Sequence, residues 1–351
     1  MKDMKVSRKA AQILVNSLDN NISEDTDVVV NELVETAKTV IEGKFLEQAE
    51  AYAKLNSLLT VTIDPKVQEN LKDVLGRYGQ THSLSRKEAA VIERYEHELR
   101  GARRQAEGGD IRFGKVSKVN VPVLFETVTA GFTCDYRDLI DDALGFLKEY
   151  VVEVMTSMDN EVIKKVVTEL TSNIKSAAQN GKVVYYATGN GISQTALDEA
   201  IKQVRRTGNA NIFGDFSVIT QLEDFVGFKT DNYFVLAEQR LLEIDNMGYI
   251  AKYRGSNITE IKNAFDFYAT ETNSVLGTKT YKTLLPESDL FVMASGKMGP
   301  NHIFFRGGVT TQTGSSVPNA TEEQRWDMEC ATYFVEDRAH MLGLIQDADL
   351  V

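Results

Sequence analysis

The chain is poor in the residues from which compact chemical sites are built. It holds two cysteines, four histidines, five prolines and one tryptophan in 351 residues. Cys134 and Cys330 lie far apart and in no metal-ligand spacing, so neither a disulfide framework nor a zinc site is expected. Both read as buried small hydrophobes in a reducing, cytoplasmic compartment. His82, His97, His302 and His340 stand in no His-x-x-x-His or Glu-x-x-His pattern, and they read as ordinary surface or packed histidines. No apolar run reaches the ~18 residues of a membrane span. The opening Met1-Lys2-Asp3-Met4-Lys5-Val6-Ser7-Arg8 has positive charge with no apolar stretch behind it, so no secretory signal is expected. Basic excess is missing too. The net charge of −12 argues against a protein that reads duplex DNA, though a container whose wall need only avoid gripping its cargo remains compatible.

What the chain does have is ordinary globular material, 42% apolar and 26% charged, enough for two domains or one elaborated one. Residues 1 to about 107 read as successive helices. Ser7 to Leu18 carries Ala10, Ala11, Leu14 and Val15 on one face, and Ser23-Glu24-Asp25-Thr26 caps a second helix through Val40. Glu42 to Leu58 continues at helical spacing, and Asp64-Pro65 opens another helix that ends near Gly76 and Gly79. Ser85-Arg86-Lys87-Glu88 has the form of a capping box, which predicts a charged helix to about Ala106. Its arginines read as a solvated face, with contact to a partner helix or scaffold as the sharper alternative.

Gly108-Gly109 breaks this run. Ile111 to Phe125 alternates at Val119, Val121 and Val123, with Pro122 suited to an edge. It is expected to be an extended, partly unpaired ribbon, whose open edge invites another chain. A long helical stretch follows from about Arg137 to about Gln179, with Asp159-Asn160 a candidate interruption. From Lys182 the pattern becomes α/β. Val183 to Ala187 reads as a short buried strand, Gly189-Asn190-Gly191 as a turn, and Ser193 to Arg206 as a helix facing the core with Leu197, Ala200, Ile201 and Val204. Asn211 to Asp215 reads as a strand and Phe216 to Phe225 as a short helix; after Gly248 strands and turns dominate.

Candidate chemistry is thin. Gly296-Lys297-Met298-Gly299-Pro300 lacks the order of a P-loop and precedes a strand, so a hairpin turn is expected. Ser193 and Ser295 have no His–Asp partner pattern, and Asp141-Asp142 point to different helix faces. The turn Gly189 to Ser193, between a strand and a helix, is the one place where backbone N–H groups could hold an anion, and it supports an alternative reading as a cytoplasmic α/β enzyme. No catalytic, cofactor-binding or metal residue is assigned, and no cofactor is expected.

Three stretches carry a family likeness. Leu197-Asp198-Glu199-Ala200-Ile201 is followed by Asn211-Ile212-Phe213-Gly214-Asp215 and Val218-Ile219-Thr220-Gln221-Leu222. Met247-Gly248-Tyr249-Ile250 leads to Arg254-Gly255, then Leu285-Pro286 leads to a strand through Met293. The last is Arg325-Trp326 through Phe334 to Arg338-Ala339. This order, spread over about residues 110 to 351, resembles the tailed-phage major capsid proteins of the Hong Kong 97-like fold. The resemblance implies an α+β fold with a peripheral domain, a long spine helix, an axial α/β domain and an extended loop. It implies an N-terminal helical arm or scaffold-like segment at residues 1–107, and the extended loop and spine helix at 108–181. It places most of the axial domain at 182–290 and C-terminal strands returning to the peripheral domain at 291–351. It further implies a major capsid protein that self-assembles through pentamers and hexamers into an icosahedral head around double-stranded DNA, without sequence-specific contacts. A portal and, optionally, a scaffold protein are the implied partners, with no membrane. The virion is the implied location, with assembly in the bacterial host cytoplasm. An encapsulin-like nanocompartment shares the fold and is the alternative within shell proteins.

Overall fold

The structure is a computed structural model that describes residues 24–42, 47–48, 50–51, 54, 71, 74–97, 116–134, 140, 143–225, 249–261, 263–272, 279–295, 299–316 and 321–350. Helix α1 (Glu24–Glu42) forms where the capping cluster predicts it. Its Val29, Leu33 and Ala37 recur every four residues and are buried on one face. The helix expected over Ser7 to Leu18 lies outside the described residues. Of the two that follow, residues 47–48, 50–51, 54, 71 and 74–75 are described and helical, and the last ends in a turn at 76–78.

Beyond that turn the structure departs from the helical reading. Strand β1 (Gln80–Leu84) comes first. Half of the Ser85–Glu88 box forms, the Ser85 N–H donating to a Glu88 carboxylate oxygen at 2.8 Å, while the Glu88 N–H donates to the Ser85 backbone carbonyl at 3.0 Å. It closes a turn and no helix follows. The chain enters strand β2 (Val91–His97), which pairs antiparallel with β3 (Val116–Pro122), setting Ile92 opposite Val121 and Arg94 opposite Val119. Val91, Ile92 and Tyr95 suit a pleated strand, and the cross-strand apolar partners override the local helix signal. Residues 98–106 of the expected helix lie outside the described residues. The ribbon expected as one open stretch is therefore two-stranded where it is described.

Strand β4 (Glu126–Cys134) leads toward the long helix α2 (Ala143–Gln179). Its 37 residues give a length of about 55 Å. The helix runs unbroken through Asp159-Asn160. Val154, Met158, Val162, Val166, Leu170 and Ile174 form a continuous buried ridge, and their packing outweighs the weak propensity of the Asp-Asn pair.

The remaining elements are β5 (Tyr185–Gly189), α3 (Gln194–Val204), β6 (Asn209–Gly214), α4 (Phe216–Ile219), β7 (Lys252–Tyr253), β8 (Ser256–Glu260), β9 (Phe265–Thr272), β10 (Lys279–Thr283), β11 (Asp289–Ser295), β12 (Asn301–Ser316), β13 (Thr321–Phe334) and β14 (Leu342–Asp347). A six-stranded sheet has the order β5-β14-β11-β6-β8-β7. Period-two alternation gives it two apolar faces. Ile212, Leu290, Val292 and Ile345 pack with Leu197, Ala200, Ile201 and Val204, the face of α3 read from the sequence. Phe213, Phe291, Met293 and Leu344 belong to the core that contains α2. Gly343 lets α3 approach, since a Cβ there would stand 3.2 Å from the Ala200 Cβ. The β7–β8 hairpin turns on Arg254 and Gly255, both at positive φ (45° and 75°), as a tight two-residue turn requires.

A four-stranded sheet has the order β1-β12-β13-β4. Ile303, Phe305, Val309, Trp326, Met328 and Cys330 face α2. Two smaller sheets, β2-β3 and β9-β10, have two strands each.

One further expectation needs correction. Val183 to Ala187 is not a buried strand: β5 begins at Tyr185, sits at a sheet edge, and leaves Val183 70% exposed just before it. Of the Gly296–Pro300 segment, read as a hairpin turn, residues 296–298 lie outside the described residues; β11 and β12, on either side of it, belong to different sheets. The strands after residue 291 divide: β12 and β13 join the four-stranded sheet, while β14, reached through a 3-10 turn at Glu336–Met341, returns to the six-stranded one. The mixed α+β class is as read from the sequence.

Candidate assembly surfaces

The turn at Gly189 to Ser193 tests the enzyme alternative. The Gly191 N–H donates to Asp347 Oδ1 at 2.8 Å, and the Ile192 N–H to Gln221 Oε1 at 2.8 Å. Gln221 Nε2 donates in turn to Asp347 Oδ2 at 2.6 Å. Two N–H groups that could cradle an anion are thus taken, one by the chain's own carboxylate and one by a side-chain amide. Burial works to raise the Asp347 pKa, but hydrogen bonds from Gln221 and from the Gly191 and Asp349 amides outweigh it and hold the carboxyl below its ordinary value. An incoming phosphate would meet a fixed negative charge.

Among the described residues no group of three or more metal-ligating side chains comes together, and no helix is long and apolar enough to cross a membrane. Cys330 is buried in the α2 core, and burial pushes its thiol up to about 11, which makes it a poor nucleophile. The Cys134 side chain lies outside the described residues. His340 Nδ1 contacts the Asp337 carbonyl at 3.1 Å, an ordinary surface arrangement. His97 lies in β2.

The other two histidines meet, which sequence spacing did not foretell. Parallel pairing of β1 with β12 brings His82 Nε2 to 3.1 Å from His302 Nδ1. The rings stack, and His82 also lies on Phe304 with centroids 4.8 Å apart. Tyr333 is the β13 partner of His302, and Arg338 adds positive charge from the 3-10 turn. Burial, then His82 and Arg338, lower the His302 pKa to about 4. The fold therefore favours neutral His302. Stability is complete above the ordinary histidine value near 6.5 and declines as the pH falls from there toward 4. The expected loss between pH 7.5 and 5 is on the order of 1 kcal/mol after solvent screening. Urea midpoints across this range should fall with pH for the natural chain, and the fall should be shallower for His302→Gln.

The surfaces that stand out are the two ribbons. The root of the β2–β3 ribbon is fastened to the outer face of the four-stranded sheet. Ala90, Phe304 and Ala331 form a small core with the half-buried Leu84, Ile92, Val123, Phe125 and Tyr333. The Val123 N–H donates to the Ala90 carbonyl at 3.0 Å, and the Arg306 guanidinium lies 4.3 Å over the Phe125 ring. Val91 and Val116 on the ribbon and Leu124 beside its root are exposed, Leu124 at 88%. The β9–β10 ribbon likewise exposes Phe265 and Tyr281. A two-stranded ribbon is marginal in water by itself, and its open edges and apolar side chains are suited to a second chain. A third surface lies on α3, where Lys202, Arg205, Arg206 and Arg254 line a groove with Asp198 and Glu199. Arg254 is tied to Asp198 at 2.7 Å. This is a cationic face on a chain of net charge −12.

The sequence matches the model of the family described as "SPbeta prophage-derived putative capsid protein YonB" over residues 5–346. No curated protein matches it. Among solved structures, the chain is similar to one from the asymmetric unit of the bacteriophage PhiM1 mature capsid, at 14% identity and a TM-score of 0.47, covering 78% of this chain and 86% of that one. It is similar to a chain of Mycobacterium phage Bobi at 10% identity and a TM-score of 0.48, covering 78% and 89%. It is also similar to a chain of the holo-SrpI encapsulin complex from Synechococcus elongatus, at 10% identity and a TM-score of 0.43, covering 79% and 88%. The family match makes the molecule a shell-building protein. The chain belongs to the YonB prophage capsid family, as a major capsid protein whose place is the virion and whose copies self-assemble.

Proposed function

We propose that the chain is the protomer of an icosahedral, Hong Kong 97-type head that encloses double-stranded DNA. The observation that carries this reading is the β2–β3 ribbon, fastened at its root to the four-stranded sheet, with Val91 and Val116 exposed on it and Leu124 exposed beside it. Copies meet as pentamers and hexamers, and the ribbon lies on a neighbour. Obligate contacts of this kind bury far more area than edge contact alone. The six-stranded sheet with α3 serves as the axial domain. The four-stranded sheet with most of α2 serves as the peripheral one. Closed symmetry then follows from several distinct, self-compatible contacts on one chain. A portal and, optionally, a scaffold protein complete the head in the bacterial host cytoplasm. Of the two possibilities for residues 1–107, a retained arm is favoured. Val29, Leu33, Ala51, Leu71, Leu75 and Tyr78 are buried in the core that contains α2, and β1 is paired within the four-stranded sheet.

An enzymatic role has little support, since the turn that suggested it is closed by Asp347 and Gln221. The test is size-exclusion chromatography with negative-stain electron microscopy on the full-length chain expressed alone. Shells, capsomer rings or tubes are expected, and nucleic acid inside them separates a phage head from a protein-filled nanocompartment. A monomer or dimer that stays soluble at high concentration would overturn the reading.

A further inference from the structure

Helix α2 lies against both large sheets, and it changes from one to the other within two turns. Lys165 binds the carboxylates of Glu126 on β4 and Glu169 on α2 itself, and Glu169 accepts from Thr332 on β13. These contacts belong to the four-stranded sheet. Two residues on, the Thr171 hydroxyl donates to Asp289 Oδ2 at 2.9 Å. Asp289 is on β11, in the six-stranded sheet.

Asp289 is 2% exposed, and it accepts from the neutral side chains of Thr171, Ser288 and Gln346. Oδ1 accepts from Gln346 Nε2 at 2.5 Å and from the Ser288 hydroxyl at 3.1 Å. Gln346 Oε1 accepts from the Tyr186 hydroxyl at 3.0 Å. One chain of hydrogen bonds thus runs from the helix through β11 and β14 to the edge strand β5. Around it the contact is apolar, built from Leu170, Ile174, Phe291 and Leu344. Apolar faces slide past one another at small cost. A buried carboxylate does not, because displacing one donor leaves it short of hydrogen bonds in a dry site.

We propose that the Thr171–Asp289–Gln346–Tyr186 chain is a positioning device that fixes the angle between the two sheets and so sets the curvature of the assembled shell. Lys165 and Glu169 hold the helix to one sheet, and Thr171 registers the other against it. Thr171 and Asp289 are positioning residues: they shape the protomer and touch no partner themselves. The inference rests on the shell-forming reading above.

The experiment expresses the full chain with Thr171→Val, which keeps the shape and removes the donor, beside Thr171→Ser, which keeps the hydroxyl. Tyr186→Phe, at the half-exposed end of the chain, provides a second probe should Thr171→Val fail to fold. Particle diameters are measured by electron microscopy, and thermal stability is measured on unassembled protein. Thr171→Val is expected to reduce the proportion of particles at the natural diameter several-fold, with aberrant sizes in their place. Tyr186→Phe is expected to shift the distribution less, and Thr171→Ser to restore it. Shells of unchanged diameter from folded Thr171→Val or Tyr186→Phe protein, whatever the melting temperature, would overturn this inference and leave the shell reading intact. Failure of the natural chain to form any assembly would remove both.

Discussion

Trp326→Ala is expected to destabilise the protomer by about 3–5 kcal/mol, among the largest effects available to a single substitution here. Trp326 is the only tryptophan of the chain and is fully buried, between the four-stranded sheet and α2. Removing the indole takes a large apolar surface out of the core and leaves a cavity that β13 cannot easily close, since Trp326 is paired on both sides, with Thr311 of β12 and Ala130 of β4. The polar edge matters as well. The indole N–H donates to the Tyr150 hydroxyl at 3.2 Å, and that hydroxyl donates to Gln324 Oε1 at 2.6 Å. Tyr150 also packs edge-on against Phe132, with centroids 5.9 Å apart. Trp326→Phe fills most of the volume but drops the N–H, so its cost should be smaller, about 1–2 kcal/mol. Urea unfolding of unassembled protein, followed by circular dichroism because both variants lose the fluorophore, checks this order. Equal stabilities for the alanine and phenylalanine variants would show that the lost hydrogen bond, and not the void, causes most of the destabilisation.

What could be read from the sequence follows from the range of the interactions involved. The α3 face, β6, the Gly-hinged β7–β8 turn and the strand after Leu285-Pro286 were legible because one local period or one turn decides each. The ribbon was half legible. Val119, Val121 and Val123 alternate plainly, but the partner strand was hidden behind a capping-box pattern whose Ser85 and Glu88 close only a turn. β4 was missed, although Val128 and Ala130 alternate with exposed Thr127 and Thr129. The His82–His302 contact joins residues 220 apart through a parallel pairing, and no local signal announces it. The same holds for Thr171 and Asp289, where a threonine inside an amphipathic helix and an aspartate opening a strand look like surface residues until the two sheets close around them. Buried polar pairs across elements are invisible to periodicity, because each member breaks the pattern of its own element.

Replacing residues 91–122 by a two-residue Asn-Gly turn is expected to leave a folded protomer that no longer closes shells. The geometry makes this a clean excision. The Val123 N–H already bonds to the Ala90 carbonyl at 3.0 Å, so the cut ends stand side by side and a tight turn can join them. Among the described residues, the core that contains α2 draws nothing from β2 or β3, so the body is expected to lose little. The ribbon contributes Ile92 to the small core at its root, while Ala90, Phe304, Ala331, Val123 and Phe125 remain. The stability change should therefore be modest, about 1–2 kcal/mol. Assembly should suffer far more, because in the function proposed above the ribbon supplies the contact that spans onto a neighbour. If the ring contacts are made by the axial domain, capsomer rings should still form and remain separate. Electron microscopy of the variant beside the natural chain distinguishes the outcomes. Isolated rings or monomers with a near-natural melting temperature support the arm, whereas normal closed shells would assign the joining role to another surface, with the β9–β10 ribbon and its exposed Phe265 and Tyr281 next in line.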